Sequence, residues 1–305
     1  MIFKVETLAF PLLALLLFAA LAAAQQEERR WQSVEQALGR AGEEQQGVYR
    51  VAFPRSDLRV RLRGVNIRPA LALTSWAAFQ RTAGATMVMG DLVLLAAEVT
   101  PVVSRLAQEG IEVTAVHNHL LGEQPRVMYV HFHGHGDAAQ LAAAVRGALE
   151  RTATPLATPR PPAGTGRILF DDPKYSAQLV KLARLGQILG REGRFANGVF
   201  AFSIPRAETI TGGGAQLGPR MGLGTVINFQ EAGSGVAATG DFVLVASEVQ
   251  PVISALRQHG IEVTALHNHM LDEEPRLFFL HFWGRGDADK LAEGLRAALD
   301  RTNHE

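Results

Sequence analysis

The stretch Gly90–Asp137, GDLVLLAAEVTPVVSRLAQEGIEVTAVHNHLLGEQPRVMYVHFHGHGD, returns 150 positions later as Gly240–Asp287, GDFVLVASEVQPVISALRQHGIEVTALHNHMLDEEPRLFFLHFWGRGD. That period is far longer than the repeat unit of a solenoid or propeller, so each copy is expected to be globular and the pair a fused pseudo-dimer. The match extends upstream: VYRVAFPR (Val48–Arg55) pairs with VFAFSIPR (Val199–Arg206), and PALALTSWAAFQ (Pro69–Gln80) with PRMGLGTVINFQ (Pro219–Gln230). Leu38-Gly39-Arg40 likewise pairs with Leu189-Gly190-Arg191. These matches place repeat 1 at 31–152 and repeat 2 at 178–302, with a Pro-, Thr- and Gly-rich linker at 153–177.

Periodicity places elements within the repeat. Thr86–Leu95 reads as a strand, and Glu98–Glu109 carries Val99, Val102, Val103 and Leu106 at helical spacing, with Pro101 in its first turn. Ile111–His119 alternates as a strand, Leu120–Pro125 turns, Arg126–His133 returns, and Asp137 caps a helix over Ala138–Glu150. Strands over Val48–Pro54 and Ala70–Phe79 complete the unit. The fold class is α+β: two tandem ferredoxin-like-type repeats with helices on one face, joined about a pseudo-twofold in a two-sheet or barrel-like arrangement. Period-two geometry groups Val113, Ala115, His117 and His119 on one side, and Tyr129, His131, His133 and His135 on one side of the return strand. Met128, Val130 and Phe132 then point under the helices. The histidine face is open until the second copy covers it.

The N-terminus has Lys4, an apolar run from Leu8 to Ala24, and Ala22-Ala23-Ala24 before Gln25, which reads as a signal peptide over 1–24. The expected location is periplasmic or secreted. The chain has no cysteine, which removes a lipid-accepting Cys, disulfides and thiolate ligands, so no stable membrane anchor is expected. Lys plus Arg and Asp plus Glu are both 30, so the basic footprint of a nucleic-acid binder is missing.

Of 10 histidines, eight fall in the matched His-Asn-His and His-Phe-x-x-x segments of the two copies. A His-x-His strand places two imidazoles on one side about 6.5–7 Å apart at the backbone, within reach of one ion. His117, His119, His131, His133 and His135 are therefore candidate metal ligands in copy one, with His267, His269 and His281 as their counterparts. Trp283 and Arg285 replace His133 and His135 in copy two, so one functional site in copy one and one structural counterpart are expected. An imidazole-rich, sulfur-free set suits a transition metal, zinc or copper first. The alternative is that the histidines form a hydrogen-bonded polar seam between the repeats.

Glu98 and Glu123 are candidate general bases if the metal activates water, although a first-turn glutamate also complements the helix dipole. Arg126 and Arg276, each after a proline, are candidate clamps for a small anionic ligand. Asn118 and Asn268 point away from their neighbouring histidines and are expected to bond to backbone. Gly134, Gly136 and Gly212-Gly213-Gly214 lack the strand–loop–helix context of a phosphate cradle, so no nucleotide cofactor is expected. No G-x-S-x-G elbow occurs, which argues against a serine hydrolase.

The strings ALALTSWAAF, MVMGDLVLLAAEV, GIEVTAVHNHLL, PRVMYVHFHGHGD, GDFVLVASEV and EVTALHNHMLDEEPRLFFLHFWG give the chain a resemblance to the LppY/LpqO family of bacterial exported proteins. The resemblance implies export and tandem architecture but no reaction, that family being a domain of unknown function. Some of its members are lipoproteins, a trait this cysteine-free chain does not share. The reading is therefore an exported protein that binds a transition metal through histidines between its repeats. Its rivals are a non-enzymatic cell-envelope module for a small anionic ligand or wall fragment, and a metal-dependent hydrolase.

Overall fold

The five long strands of each repeat alternate apolar residues toward a helical layer with a mixed set toward the other face, and this double commitment builds two layers of core. The computed structural model of the protein describes residues 29–157 and 173–305; the signal segment expected over 1–24 and most of the linker expected over 153–177 lie outside them. Copy one opens with a helix over 29–38 (α1). There follow β1 (Glu43–Gln45), β2 (Val48–Pro54), the short hairpin β3 (Arg61–Leu62) and β4 (Val65–Asn66), and one helical turn α2 (Pro69–Ala72). β5 (Thr74–Arg81), β6 (Thr86–Leu95), α3 (Ala96–Gln108), β7 (Glu112–His117), β8 (Val127–Gly136) and α4 (Ala138–Leu149) complete it. Copy two repeats the plan: α5 (Pro173–Leu189), β9 (Arg194–Ala196), β10 (Val199–Ile204), β11 (Ile210–Gly212), β12 (Ala215–Leu217), β13 (Thr225–Ala232), β14 (Gly235–Leu244), α6 (Ala246–Gln258), β15 (Glu262–His267), β16 (Phe278–Gly286) and α7 (Ala288–Leu299). Among the described residues no helix is long and apolar enough to cross a membrane.

Each copy forms a six-stranded antiparallel sheet, ordered β1-β2-β5-β6-β8-β7 and β9-β10-β13-β14-β16-β15. Both sheets stay open, so the two-sheet arrangement forms and the barrel does not. Within copy one β6, α3, β7, β8 and α4 follow the expected β-α-β-β-α order. The place beside β6 is filled by β5, which precedes this unit, whereas a ferredoxin-like repeat fills it with a strand that follows the second helix. The hairpin from β5 to β6 makes that pairing locally. The strand expected from Ala70 starts only at Thr74, because Pro69 at the first helical position favours a turn first.

Helix boundaries follow local chemistry. The Asp137 side chain accepts from the N–H groups of Ala139 and Gln140 at the start of α4. Gly39, at φ +68°, ends α1 in the left-handed region, and Arg146 Nη1 of α4 donates to the freed Leu38 carbonyl at 2.8 Å. Copy two repeats the device with Gly190 and with Arg296 Nη1 on the Leu189 carbonyl at 2.8 Å. Val88, Leu92, Leu94, Val130 and Phe132 pack under Val102, Leu106, Val145 and Leu149. Phe242, Leu244, Leu280 and Phe282 do the same in copy two.

Two further cores lie between the copies. In one, the β3–β4 hairpin and α2 of copy one lay Leu62, Val65 and Leu71 against Ala237 and Trp283 of copy two. In the other, Ile210 and Leu217 of the β11–β12 hairpin lie against Ala78, Met87 and Met89 of copy one. The last residue of each PALALTSWAAFQ-type motif fastens this embrace. Gln80 Nε2 donates to the Gln216 carbonyl at 2.6 Å and Gln230 Nε2 to the Asn66 carbonyl at 2.8 Å. The reciprocity of these contacts is the pseudo-twofold relation expected from the repeat.

Candidate metal centre

Where the two open sheet faces meet, strand alternation aims Asp91 from β6 and Tyr129 and His131 from β8 at Asp241, Phe279 and His281 of copy two. Asp91 stands opposite His131 in register, and Asp241 opposite His281. The outer strands reach the same seam through a β-bulge: the register slips between Val113 and Ala115, and again between Val263 and Ala265. The bulge changes the face of the strand partway along, so Val113 packs toward the helical core while His117 faces the seam. The expected grouping of Val113 with His117 therefore fails at that residue.

The loops carrying the second histidine of each pair are fixed from the opposite copy. Thr114 Oγ1 donates to the His269 carbonyl and Thr264 Oγ1 to the His119 carbonyl, both at 2.6 Å. Asn118 Nδ2 donates to the Thr264 carbonyl and Asn268 Nδ2 to the Thr114 carbonyl, both at 3.0 Å. The asparagines do bond to backbone, as read from the sequence, and the backbone includes that of the other repeat.

Six imidazoles converge as three pairs across the pseudo-twofold. Ring centroids of His117 and His267 lie 3.7 Å apart, of His119 and His281 3.7 Å, and of His131 and His269 3.8 Å. His119 stacks on Tyr129 at 3.4 Å and His269 on Phe279 at 3.3 Å, so an aromatic ring walls each end. Tyr129 Oη donates to the Ala72 carbonyl at 2.8 Å and is directed away from the imidazoles. His119 Nε2 lies 3.4 Å from Asp91 Oδ2, and His269 Nε2 3.3 Å from Asp241 Oδ2.

Burial sets the protonation of the cluster. It lowers His131 and His269 to about 3, assisted in both by the neighbouring imidazole of His281, and pushes His117, His119 and His267 well below the ordinary histidine value. Burial raises Asp241 to about 6, against the opposing pull of His281. The lowered rings are neutral at pH 7, as metal ligands must be. The Nδ1–H of His131 donates to the Gly90 carbonyl at 3.2 Å, that of His281 to the Gly240 carbonyl at 2.8 Å, and that of His269 to the Gly222 carbonyl at 3.2 Å. A carbonyl only accepts, so each ring carries a proton on Nδ1, and in the neutral rings of His131 and His269 the lone pair is on Nε2. This is the arrangement by which a backbone group orients a metal-ligating imidazole.

Nε2 of all six histidines and Oδ1 of Asp91 and Asp241 are buried without a hydrogen-bond partner. Each such atom costs about 1–3 kcal/mol when nothing satisfies it. Three groups bring one donor atom per residue within 4.8 Å of one another: His117, His131 and His267; His117, His119 and His281; and Asp241, His267 and His269. The donor set thus fits a transition metal.

The remaining sequence candidates lie elsewhere. His133 Nδ1 sits 3.7 Å from Glu112 Oε2, and its ring meets His135 edge-on at 4.6 Å. His135 abuts Gly213 of the β11–β12 hairpin. In copy two, Trp283 packs on the β3–β4 hairpin and Arg285 Nη1 donates to the Arg63 carbonyl at 3.0 Å. The HFHGH-to-HFWGR difference therefore reflects two dissimilar hairpins, and the cluster takes three histidines from each copy instead of belonging to copy one. Glu98 accepts from Leu95 N at 2.8 Å, Ala153 N at 3.1 Å and Arg55 Nη1 at 2.8 Å, a structural role that occupies both oxygens. Glu123 is buried and accepts from Val127 N at 3.2 Å within its turn. Arg126 is exposed, and Arg276 Nη1 donates to the Leu271 carbonyl at 2.9 Å on the surface. Two surface cavities, of about 520 and 460 Å³, are lined by none of the six histidines.

The residues that sequence reasoning passed over are Asp91 and Asp241. The signal was present in MVMGDLVLL and AATGDFVLV, each with an aspartate in the middle of an apolar strand at the same place in both copies.

Comparison with solved structures finds weak likeness to a trimeric bacterial microcompartment shell protein, PduB, at 12% identity over 86% of this chain and 90% of that one, with TM-score 0.23. EtuB from Clostridium kluyveri is similar at 10% identity over 85% and 88% of the two chains, with TM-score 0.19. Overlaps this low carry no argument about fold or function. No curated protein matches the chain. A family model described as Domain of Unknown Function (DUF1259) matches residues 32–151 and again 183–301, and the chain belongs to that family, carrying its domain twice in tandem.

Proposed function

We propose that this protein is an exported metal-binding protein of LppY/LpqO type, whose ligands are His117, His119, His131, His267, His269 and His281 with Asp91 and Asp241. The observation that carries the reading is the convergence of eight residues, six histidines and two aspartates, each with a buried donor atom that lacks a hydrogen-bond partner. A polar seam would have paired them with one another or with backbone. Imidazole and carboxylate without sulfur favour a first-row divalent ion, with zinc or copper the leading choices. Export rests on the apolar run from Leu8 to Ala24 and the A-x-A site, Ala22-Ala23-Ala24, that ends it. A binding role fits the centre better than hydrolysis, because Glu98 and Glu123 are held by backbone and Tyr129 and Phe279 close the cluster's ends.

The test is elemental analysis of protein purified without a polyhistidine tag, before and after reconstitution with zinc, copper and nickel. Retained metal that is reduced in His117→Ala and equally in His267→Ala is the expected result. No metal under any of these conditions would leave the histidines as a polar seam between the repeats.

A further inference from the structure

We propose that the centre is dinuclear, with two ions related by the pseudo-twofold and each held by three histidines and one aspartate. This rests on the metal-binding reading above. Two of the three close groups share no residue: His117, His119 and His281 form one, and Asp241, His267 and His269 the other. The repeat equates His117 with His267, His119 with His269, His131 with His281 and Asp91 with Asp241. Under that equivalence each group lacks one member that the other displays.

The first group lacks an aspartate, and Asp91 Oδ2 stands 3.4 Å from His119 Nε2. The second lacks a third histidine, and the ring of His131 stands 3.8 Å from that of His269. Adding each gives His117, His119, His281 and Asp91 on one side, and His267, His269, His131 and Asp241 on the other. The two sets are interchanged by the pseudo-twofold and use every member of the cluster once.

Counting residues leads to the same division. Six histidines and two aspartates each hold a buried atom without a hydrogen-bond partner, His117 and His267 at both ring nitrogens, and at one ligand per residue that supplies two four-coordinate sets. A single ion on the axis would take His117, His131, His267 and His281, and would leave His119 and His269 against their aspartates with buried donors unsatisfied. Each copy lends one histidine, His131 or His281, to the set dominated by the other copy. Neither set is complete within one repeat, which gives the embrace of the two copies a chemical purpose.

The experiment is titration of chelator-stripped, tag-free full chain with zinc(II), counting bound metal per chain by mass spectrometry of the elements after gel filtration. Two zinc per chain is expected for the native sequence. His119→Ala should bind one, and the double variant His119→Ala with His269→Ala none at micromolar zinc. One zinc in the native protein, unchanged in His119→Ala, would overturn the dinuclear centre and leave a single axial site. No zinc in the native protein would overturn metal binding altogether. If a variant fails to fold by circular dichroism, cobalt(II) titration of the native chain decides alone. Its tetrahedral visible absorption should rise to a break at two equivalents, and a break at one equivalent would overturn the proposal.

Discussion

Arg55 shows how much of this molecule rests on single buried charges. Its fully buried guanidinium reaches Glu98 at 2.8 Å, Asp57 at 2.9 Å and the Val93 carbonyl at 2.6 Å, and Arg206 repeats the set in copy two. Removing one partner of such a pair strands the other, so Arg55→Met should lower unfolding stability by about 3–5 kcal/mol in a denaturant titration. A loss below about 1 kcal/mol would contradict the network's role. The imidazoles predict a pH dependence for metal-free protein. His131 and His269, at about 3 when folded against a reference of 6.5, bind protons in the unfolded chain throughout that window and not in the folded one. Their contribution is complete above pH 6.5 and is lost as pH falls toward 3. Asp241, raised from 3.8 to about 6, acts in the opposite direction but is one group against several. The urea midpoint of metal-free protein should therefore fall steadily from pH 7 to pH 4; a flat or rising profile would contradict neutral buried rings. The histidines were legible in the sequence by count and spacing. The partners that complete the cluster were less so, since an aspartate inside an apolar strand announces burial without saying what it faces.

Register and loops decide whether the six rings meet. Replacing Thr114 by valine keeps the shape but leaves the His269 carbonyl without its 2.6 Å donor, at a cost of about 1–3 kcal/mol. Thr264→Val should do the same through His119. Both variants should also weaken metal affinity, each by loosening the opposite copy's loop, and isothermal titration would show it; an effect confined to copy one would contradict the reciprocal arrangement. Gly240 is fixed by contact: a β-carbon there would run into the Val226 carbonyl of the adjacent strand. Gly240→Ala should accordingly destabilise by about 1–3 kcal/mol, read as a lowered thermal midpoint. Strand β6 was readable to the residue from its apolar run, as was the Asp137 cap from its position before an alanine-rich helix. The bulge between Val113 and Ala115 was not, because nothing in EVTAVH marks the slip and the strict alternation it breaks is the default for a strand.

The molecule as a whole is two half-covered sheets that finish each other. A chain of residues 29–157 alone would expose Met87, Met89, Val93 and Tyr129, all buried here against or beside the second copy. It should associate or fail to fold, while the full chain folds and unfolds in one cooperative transition; size-exclusion chromatography with circular dichroism checks this, and a stable folded monomer of one copy would contradict the shared core. The duplication, the two-sheet plan and the helix-covered faces were legible because a 150-residue offset and period-two patterning are properties of the chain itself. The equal share of each copy in the histidine cluster was not, since HFHGH against HFWGR reads as gain and loss of ligands until the two hairpins those residues touch are seen. Everything proposed about function meets at one place, the seam between the sheets. Anomalous diffraction at the zinc edge from crystals of zinc-loaded, tag-free protein locates the ions there. Peaks about 2 Å from the Nε2 atoms of His117, His119 and His281, and of His267, His269 and His131, are the expected result. Bound zinc only at other places, with no peak within ligand distance of these rings, would contradict it.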